Sequence, residues 1–548
     1  MSTDPHISTG PLLAKASLRF ATVFLAGAFV ASHAQAVGRS DHSPRCNAQD
    51  ELVACTGQGT VKGVVEHDTV AFKGIPYAQA PVGALRWQAP AAPTRWAGLR
   101  DGSQFGPVCP QLVGNEVVGD ENCLTLNVWK PKAAPRQPKP VMVFFTGGGN
   151  HAFSGQGTAG FGGVQYNGEK LNAEGVVYVS FNYRLGALGF LAHPALSAEQ
   201  SRGISGNYGS LDQIAMLRWV QDNIAAFGGD PRRVMVFGTS AGGGNICALL
   251  TAPSAKGLFQ RAAMQSSVPT GCELPTLAQA QQGTGARVAQ ELGCSASATS
   301  ACLRSKSAAE VVRAVPGTFG VLPRLYGPNV DGHVFPDQPA RVIERGDHAA
   351  MPVIIGSNAQ ETLQFVDSVG PITDVVSYEA AIGRVFGEGA TQRILAAYPV
   401  TSYPSPRRAM VQLTTDALFT CQSWRVARLL SRHQTAPVYR YLFAHGLKND
   451  PALSALESVH TIEHVFFFAW QGAYQPNASD LALQQALVPR WARLARTGHL
   501  PHAGSLAWPP AGPGDRFLWL DAGPEVRAGD ADAQCPFWDT VPLPQPHL

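Results

Sequence analysis

Val234-Met235-Val236-Phe237 runs directly into Gly238-Thr239-Ser240-Ala241-Gly242, and no other stretch of the 548-residue chain narrows the choice of fold as much. Four strand-forming residues predict a buried strand, the abrupt G-x-S-x-G predicts a sharp turn, and residues 245–250 can continue as a helix. In such a turn the serine backbone is strained and its hydroxyl stands clear of the sheet. The positions two residues to either side must then be small, and Gly238 and Gly242 are. The following helix turns the positive end of its dipole, and the Ala241 amide, toward whatever oxygen Ser240 attacks. With 57 glycines in the chain the pattern also arises by chance; the apolar run before it is what marks a nucleophile elbow.

With 45% hydrophobic and 15% charged residues, the chain has material for one large core and no long polar arm. A formal net charge of +3 is too mild to imply a nucleic-acid partner or an anionic membrane surface. Lys15 and Arg19 precede an apolar run over residues 20–31 that ends at Ala34-Gln35-Ala36. This is the pattern of a cleavable signal peptide over residues 1–36, with cleavage near Ala36 and a single domain over 37–548. No other run is long enough to span a bilayer, so a secreted or periplasmic protein is expected. Ten cysteines in an exported chain predict disulfides, and Cys109 with Cys123 and Cys294 with Cys302 stand out as close pairs. There is no C-x-x-C, and neither a metal nor an organic cofactor is called for.

Thr60 to Val65 and Val70 to Phe72, separated by His67-Asp68, predict a hairpin. Residues 124–129 alternate as a strand, and 141–145 form a continuous apolar run suited to a strand buried on both faces. That run ends in Thr146-Gly147-Gly148-Gly149. Successive glycines let backbone N–H groups turn inward together, which is how an oxyanion is held when a nucleophile elbow follows later in the chain. After a strand at 175–182, Ser210 and Gln213 read as a capping box opening a helix with Leu211, Ile214, Leu217, Val220 and Ile224 on one side. Gly228-Gly229-Asp230-Pro231 stops it. Strand, helix, strand in this rhythm predicts an α/β-hydrolase fold: a large, mostly parallel sheet with helices on both faces.

A serine hydroxyl needs a base, and the base a carboxylate to orient it. In this fold the order is serine, acid, histidine, each on a loop leaving the carboxyl end of a strand. The loop after Val353-Ile354-Ile355 offers Glu361 first and Asp367 beyond it. The loop after strand 438–443 offers His445, His460 and His464; spacing alone does not separate His460 from His464.

Together these stretches resemble the type-B carboxylesterase/lipase family, the cholinesterase-like branch of the α/β-hydrolases. The resemblance runs from about Gly57 to the C-terminus. It rests on Phe72-Lys73-Gly74-Ile75-Pro76-Tyr77-Ala78, Glu121-Asn122-Cys123-Leu124-Thr125-Leu126-Asn127-Val128-Trp129, Gly147-Gly148-Gly149, Asn182-Tyr183-Arg184-Leu185-Gly186, Phe227-Gly228-Gly229-Asp230-Pro231 and the elbow. The resemblance implies a triad of Ser240, Glu361 and His460, favouring His460 because its third following residue, Glu463, is acidic. It also implies an oxyanion hole from the amides of Gly148, Gly149 and Ala241, a third bridge between Cys421 and Cys535, and framework ion pairs Arg86–Glu121 and Arg184–Asp212. Cys46, Cys55, Cys247 and Cys272 are left unassigned.

Thr239 stands where many members carry Glu, Asn122 where Asp is usual, and Asn150-His151 where aromatics are common. Residues 110–122 contain no aromatic ring, so a cation–π site for choline is not expected. The expected activity is hydrolysis of carboxylic esters, on a small-molecule ester substrate, through an acyl-enzyme. An amidase, carbamate hydrolase or lactonase would use the same triad, and a non-catalytic binding module would lack it. The pocket walls are expected from partly helical cap insertions at 272–336 and 366–405.

Overall fold

The alternation of apolar runs with helical stretches builds one eleven-stranded sheet in the computed structural model of the chain. The structure describes residues 50–543 apart from 134–136, 159–162, 268–271, 295–298, 471–473, 506 and 530–532; the expected leader and Cys46 lie outside them. In chain order the first strands are β1 (Val64–Glu66), β2 (Thr69–Pro76), β3 (Thr125–Pro131), β4 (Lys139–Phe145), β5 (Val177–Phe181) and β6 (Gly229–Thr239). Then come β7 (Arg261–Gln265), β8 (Val353–Asn358), β9 (Val438–Phe443), β10 (Phe517–Leu520) and β11 (Glu525–Arg527). Across the sheet they lie β1-β2-β3-β5-β4-β6-β7-β8-β9-β10-β11. Every pairing from β5 to β10 is parallel, and antiparallel pairs border them on both sides.

β4 shows why the parallel centre needs unbroken apolar sequence. Val141, Val143 and Phe145 enter the core on one face, with α1 (Tyr208–Asn223) and α2 (Ala241–Leu249); Met142 and Phe144 enter the core on the other. That second layer is closed by α3 (Val375–Phe386), α4 (Glu388–Ala397), α5 (Pro406–Thr415), α6 (Cys421–His433) and α7 (Ala478–Thr497), although α6 also reaches the first core through Ala427 and Leu430. With both faces covered, an alternating strand would bury a polar group on every second residue.

Two local expectations need correction. The hairpin forms between β1 and β2, but Thr60–Lys62 turns away at Gly63 and pairs instead with Val53–Cys55 and Leu99–Asp101. Ser210 and Gln213 form no capping box: α1 begins at Tyr208, and both residues are buried within it. Its Ncap, Asn207, uses its side chain elsewhere, with the amide donating to Asn329 O at 2.9 Å and Asp331 Oδ2 at 2.8 Å.

Disulfides join Cys109 to Cys123, Cys294 to Cys302 and Cys421 to Cys535, and also Cys247 to Cys272, a pair the sequence left open. Cys55 is disulfide-bonded too. The Cys421–Cys535 bridge closes 114 residues and ties the start of α6 to the C-terminal segment. Replacing both cysteines by serine is expected to lower unfolding stability by about 4–5 kcal/mol, because the long loop is released in the unfolded chain. Denaturant melts in the absence of reductant measure this directly. No helix among the described residues is long and apolar enough to cross a membrane.

Candidate active site

β6 delivers Ser240 at φ 58° and ψ −125°, a region in which a residue with a Cβ is strained. The Ser240 N–H donates to Gln265 O at 2.9 Å, which fixes the turn against β7. A Cβ on Gly238 would lie 2.6 Å from the Phe145 carbonyl oxygen, and one on Gly242 only 2.0 Å. Both positions are therefore sterically closed to any side chain. Ala241 is the first residue of α2, so its N–H lacks an intrahelical acceptor.

The loop leaving β4 lies against this turn: a Cβ on Gly147 would meet Thr239 O at 2.7 Å. Gly148 and Gly149 hold φ of 86° and 60°, and among the described residues neither N–H has an acceptor. Asn150, at φ 60°, anchors the loop. Its Oδ1 accepts from Tyr183 Oη at 3.2 Å and from Asn245 Nδ2 at 2.8 Å, and its amide donates to Tyr326 O at 3.3 Å. Asn245 stands on α2, so the glycine loop and the elbow are braced to one another. Sequence reasoning registered Asn150 only as a departure; the signal was an Asn after three glycines, since Asn tolerates the left-handed region.

Glu361 follows β8 and is fully buried. Its Oε1 accepts from Asn358 N–H at 2.7 Å, and its Oε2 meets His460 Nδ1 at 2.5 Å. Because the carboxylate only accepts, Nδ1 carries the proton and Nε2 keeps its lone pair. Phe365 and Phe419 set their rings edge-on to the imidazole, with centroids at 5.3 and 5.2 Å. Phe419 lies on a π-helical turn, Asp416–Thr420, between α5 and α6. Ser240, Gly148, Gly149 and His460 all line one cavity of about 390 Å³, walled by Phe153, Phe319, Leu322, Phe365 and Phe419. Ala241 and Glu361 lie behind its surface.

The competing groups serve elsewhere. His464 also borders the cavity, but its Nε2 pairs with Thr239 Oγ1 at 2.8 Å and its Nδ1 with Tyr166 Oη at 3.3 Å. Burial, reinforced by nearby His460, pushes its imidazole down to about 3, so it stays neutral. His445 is clamped between Asp480 at 2.8 Å and Asp521 at 2.7 Å, and Asp367 pairs with Arg407 at 2.7 Å. Arg86 grips Glu121, and Arg184 grips Asp212, each in a two-pronged pair outside the cavity. His151 packs on Phe319 and borders a neighbouring cavity. Of the two expected cap insertions, 272–336 supplies wall residues 318–324, whereas 366–405 supplies none of the residues lining the cavity. The latter turns into the second core through Tyr378 and Ile382, and Leu453 and Leu456 wall the cavity in its place.

Glu463, buried behind this pair, accepts from Asn358 Nδ2 at 2.9 Å, and burial pushes its carboxyl up to about 7 from an ordinary value of 4.5. Between those values the folded chain holds a proton that the unfolded chain has released, so stability falls as pH rises through that window. Glu463→Gln is expected to raise unfolding stability at pH 8.5 by on the order of 2–3 kcal/mol and to change nothing at pH 4. Equal melts for variant and wild type at pH 8.5 would contradict it.

The sequence model of the carboxylesterase family matches residues 50–538. The chain belongs to the carboxylesterase family. This esterase is 37% identical over 484 residues to the fumonisin B1 esterase of Sphingopyxis macrogoltabida, covering 84% of each chain. It is 32% identical to the para-nitrobenzyl esterase of Bacillus subtilis (strain 168), over 83% of this chain and 92% of that one. A solved structure of a PNB esterase superposes with a TM-score of 0.75 at 29% identity, covering 89% of the esterase and 99% of that chain. The esterase is thus a carboxylic ester hydrolase with the α/β-hydrolase fold.

Proposed function

We propose that the esterase cleaves small carboxylic esters in two steps, with Ser240 as nucleophile, His460 as general base and then acid, and Glu361 as its orienting carboxylate. The observation that carries this reading is the 2.5 Å contact between Glu361 and His460 Nδ1, on a histidine that shares a cavity with Ser240. His460 Nε2 takes the Ser240 proton as Oγ adds to the ester carbonyl. The amides of Gly148, Gly149 and Ala241 receive the oxyanion, one such donor typically lowering the barrier by ~3 kcal/mol. The imidazolium then protonates the departing alcohol, leaving an acyl group on Ser240. Water, deprotonated by His460, repeats the addition and releases the acid. We place the reaction outside the cytoplasm, as the disulfides support.

A fluorophosphonate should add one equivalent per chain, and peptide mass spectrometry should place it on Ser240. A p-nitrophenyl ester should show a burst of one p-nitrophenolate per chain, while the matching anilide and carbamate turn over far more slowly. Labelling at another residue, with ester turnover intact, would remove Ser240 from the mechanism.

A further inference from the structure

His464 opens a short helix, His464–Phe467, just beyond His460, and Thr239 is the last residue of β6, immediately before Ser240. Both side chains are buried. The 2.8 Å contact between His464 Nε2 and Thr239 Oγ1 therefore joins the neighbour of the nucleophile to the segment that carries the base. Tyr166 Oη meets Nδ1 at 3.3 Å, so both ring nitrogens are engaged and turning the imidazole would break both contacts. Because burial pushes this imidazole down to about 3, the link does not change near neutral pH.

The other end of the same segment is tied to the loop of Glu361: Asn358 Nδ2 donates to Val459 O at 2.8 Å, and Gln360 N–H donates to Ser458 O at 3.2 Å. His460 thus hangs between two anchors, one on the acid's loop and one on the elbow. Apolar packing also holds the short helix, with the Phe467 and Phe468 rings 6.1 and 6.2 Å from that of Phe237. Such ring contacts tolerate small rotations, whereas a hydrogen bond weakens steeply as its angle opens.

Building on the proposed ester cleavage at Ser240, we infer that Thr239 and His464 form a strut between the elbow and the base's segment, positioning residues that act by fixing Ser240 against His460. A displacement of about 1 Å between reacting groups costs on the order of 100-fold in rate, which sets the scale of the effect.

The test is kcat and KM on a neutral p-nitrophenyl ester, counted per site titrated with a fluorophosphonate so that misfolded chains drop out. Thr239→Val keeps the shape and removes the hydroxyl; kcat should fall about 10- to 100-fold. KM should hardly move, since Thr239 is not among the residues lining the cavity. Thr239→Ser restores a hydroxyl and should recover most of the loss. His464→Leu should lower kcat to a similar degree, and Thr239→Val added to it should cost little more, because the bond is already gone. If Thr239→Val gives no titratable sites, His464→Leu against His464→Gln, whose amide can reach Thr239 Oγ1, makes the same comparison. Wild-type kcat in Thr239→Val, a Thr239→Ser variant equally slow, or independent losses in the double variant overturns the inference. Fluorophosphonate found on another residue of wild type, with ester turnover intact, would instead count against ester cleavage at Ser240.

Discussion

Ser240→Ala is expected to lower kcat on a neutral p-nitrophenyl ester by roughly 10⁴- to 10⁶-fold, with little change in KM. The loss is expected to be large because Ser240 is the proposed nucleophile and lines one cavity with Gly148, Gly149 and His460. Alanine keeps the Cβ that strains the backbone at φ 58° and removes only the hydroxyl, so the variant should melt close to wild type. The residual activity should come from the proposed oxyanion donors acting on attacking water. On the proposed mechanism Ser240 and His460 act as a unit, so His460→Ala in the Ser240→Ala background should cost little more. Additive losses in the double variant would show that the two residues do not share one step.

Glu361→Gln is expected to cost roughly 10³- to 10⁴-fold in kcat, with the fold retained. The amide is nearly the same size and can still accept from Asn358 N–H. Its NH₂ then faces His460 and presents a donor where the imidazole also needs an acceptor. The ring must flip to the tautomer with its lone pair toward residue 361, and Nε2 can no longer take the serine proton. The imidazolium also loses its counter-charge in a fully buried setting. Circular dichroism should be unchanged while kcat falls at every pH from 6 to 9. A variant within tenfold of wild type would mean that another carboxylate orients His460.

The elbow and the glycine loop were legible because their constraint is steric and local: no side chain fits at Gly238 or Gly242, so the letters carry the geometry. Glu361 was legible as the first carboxylate after a buried strand. The choice between His460 and His464 was not open to spacing, since both rings border the cavity. It turns on a hydrogen-bond partner on another loop, 99 residues away in the chain. Thr239, a departure from the family pattern, acquires a role only once its hydroxyl is seen against His464. The capping box failed for the opposite reason. Ser210 and Gln213 have the right spacing, but packing buries both and moves the helix start to Tyr208.

The five-residue turn Asp416–Thr420 winds more slowly than the helices on either side of it. Loss of one residue there would restore ordinary winding, and because four α-helical residues rotate the chain about as far as the five of the wide turn, α5 and α6 would keep their relation while the residues inside the turn are re-aimed. Phe419 stands inside the turn and would leave the imidazole edge, while Cys421, beyond it, would keep its bond to Cys535. In this part of the molecule, chain length is itself a determinant of reactivity: an alignment gap at this turn would mark a relative whose histidine stands in different company, even with every named residue intact.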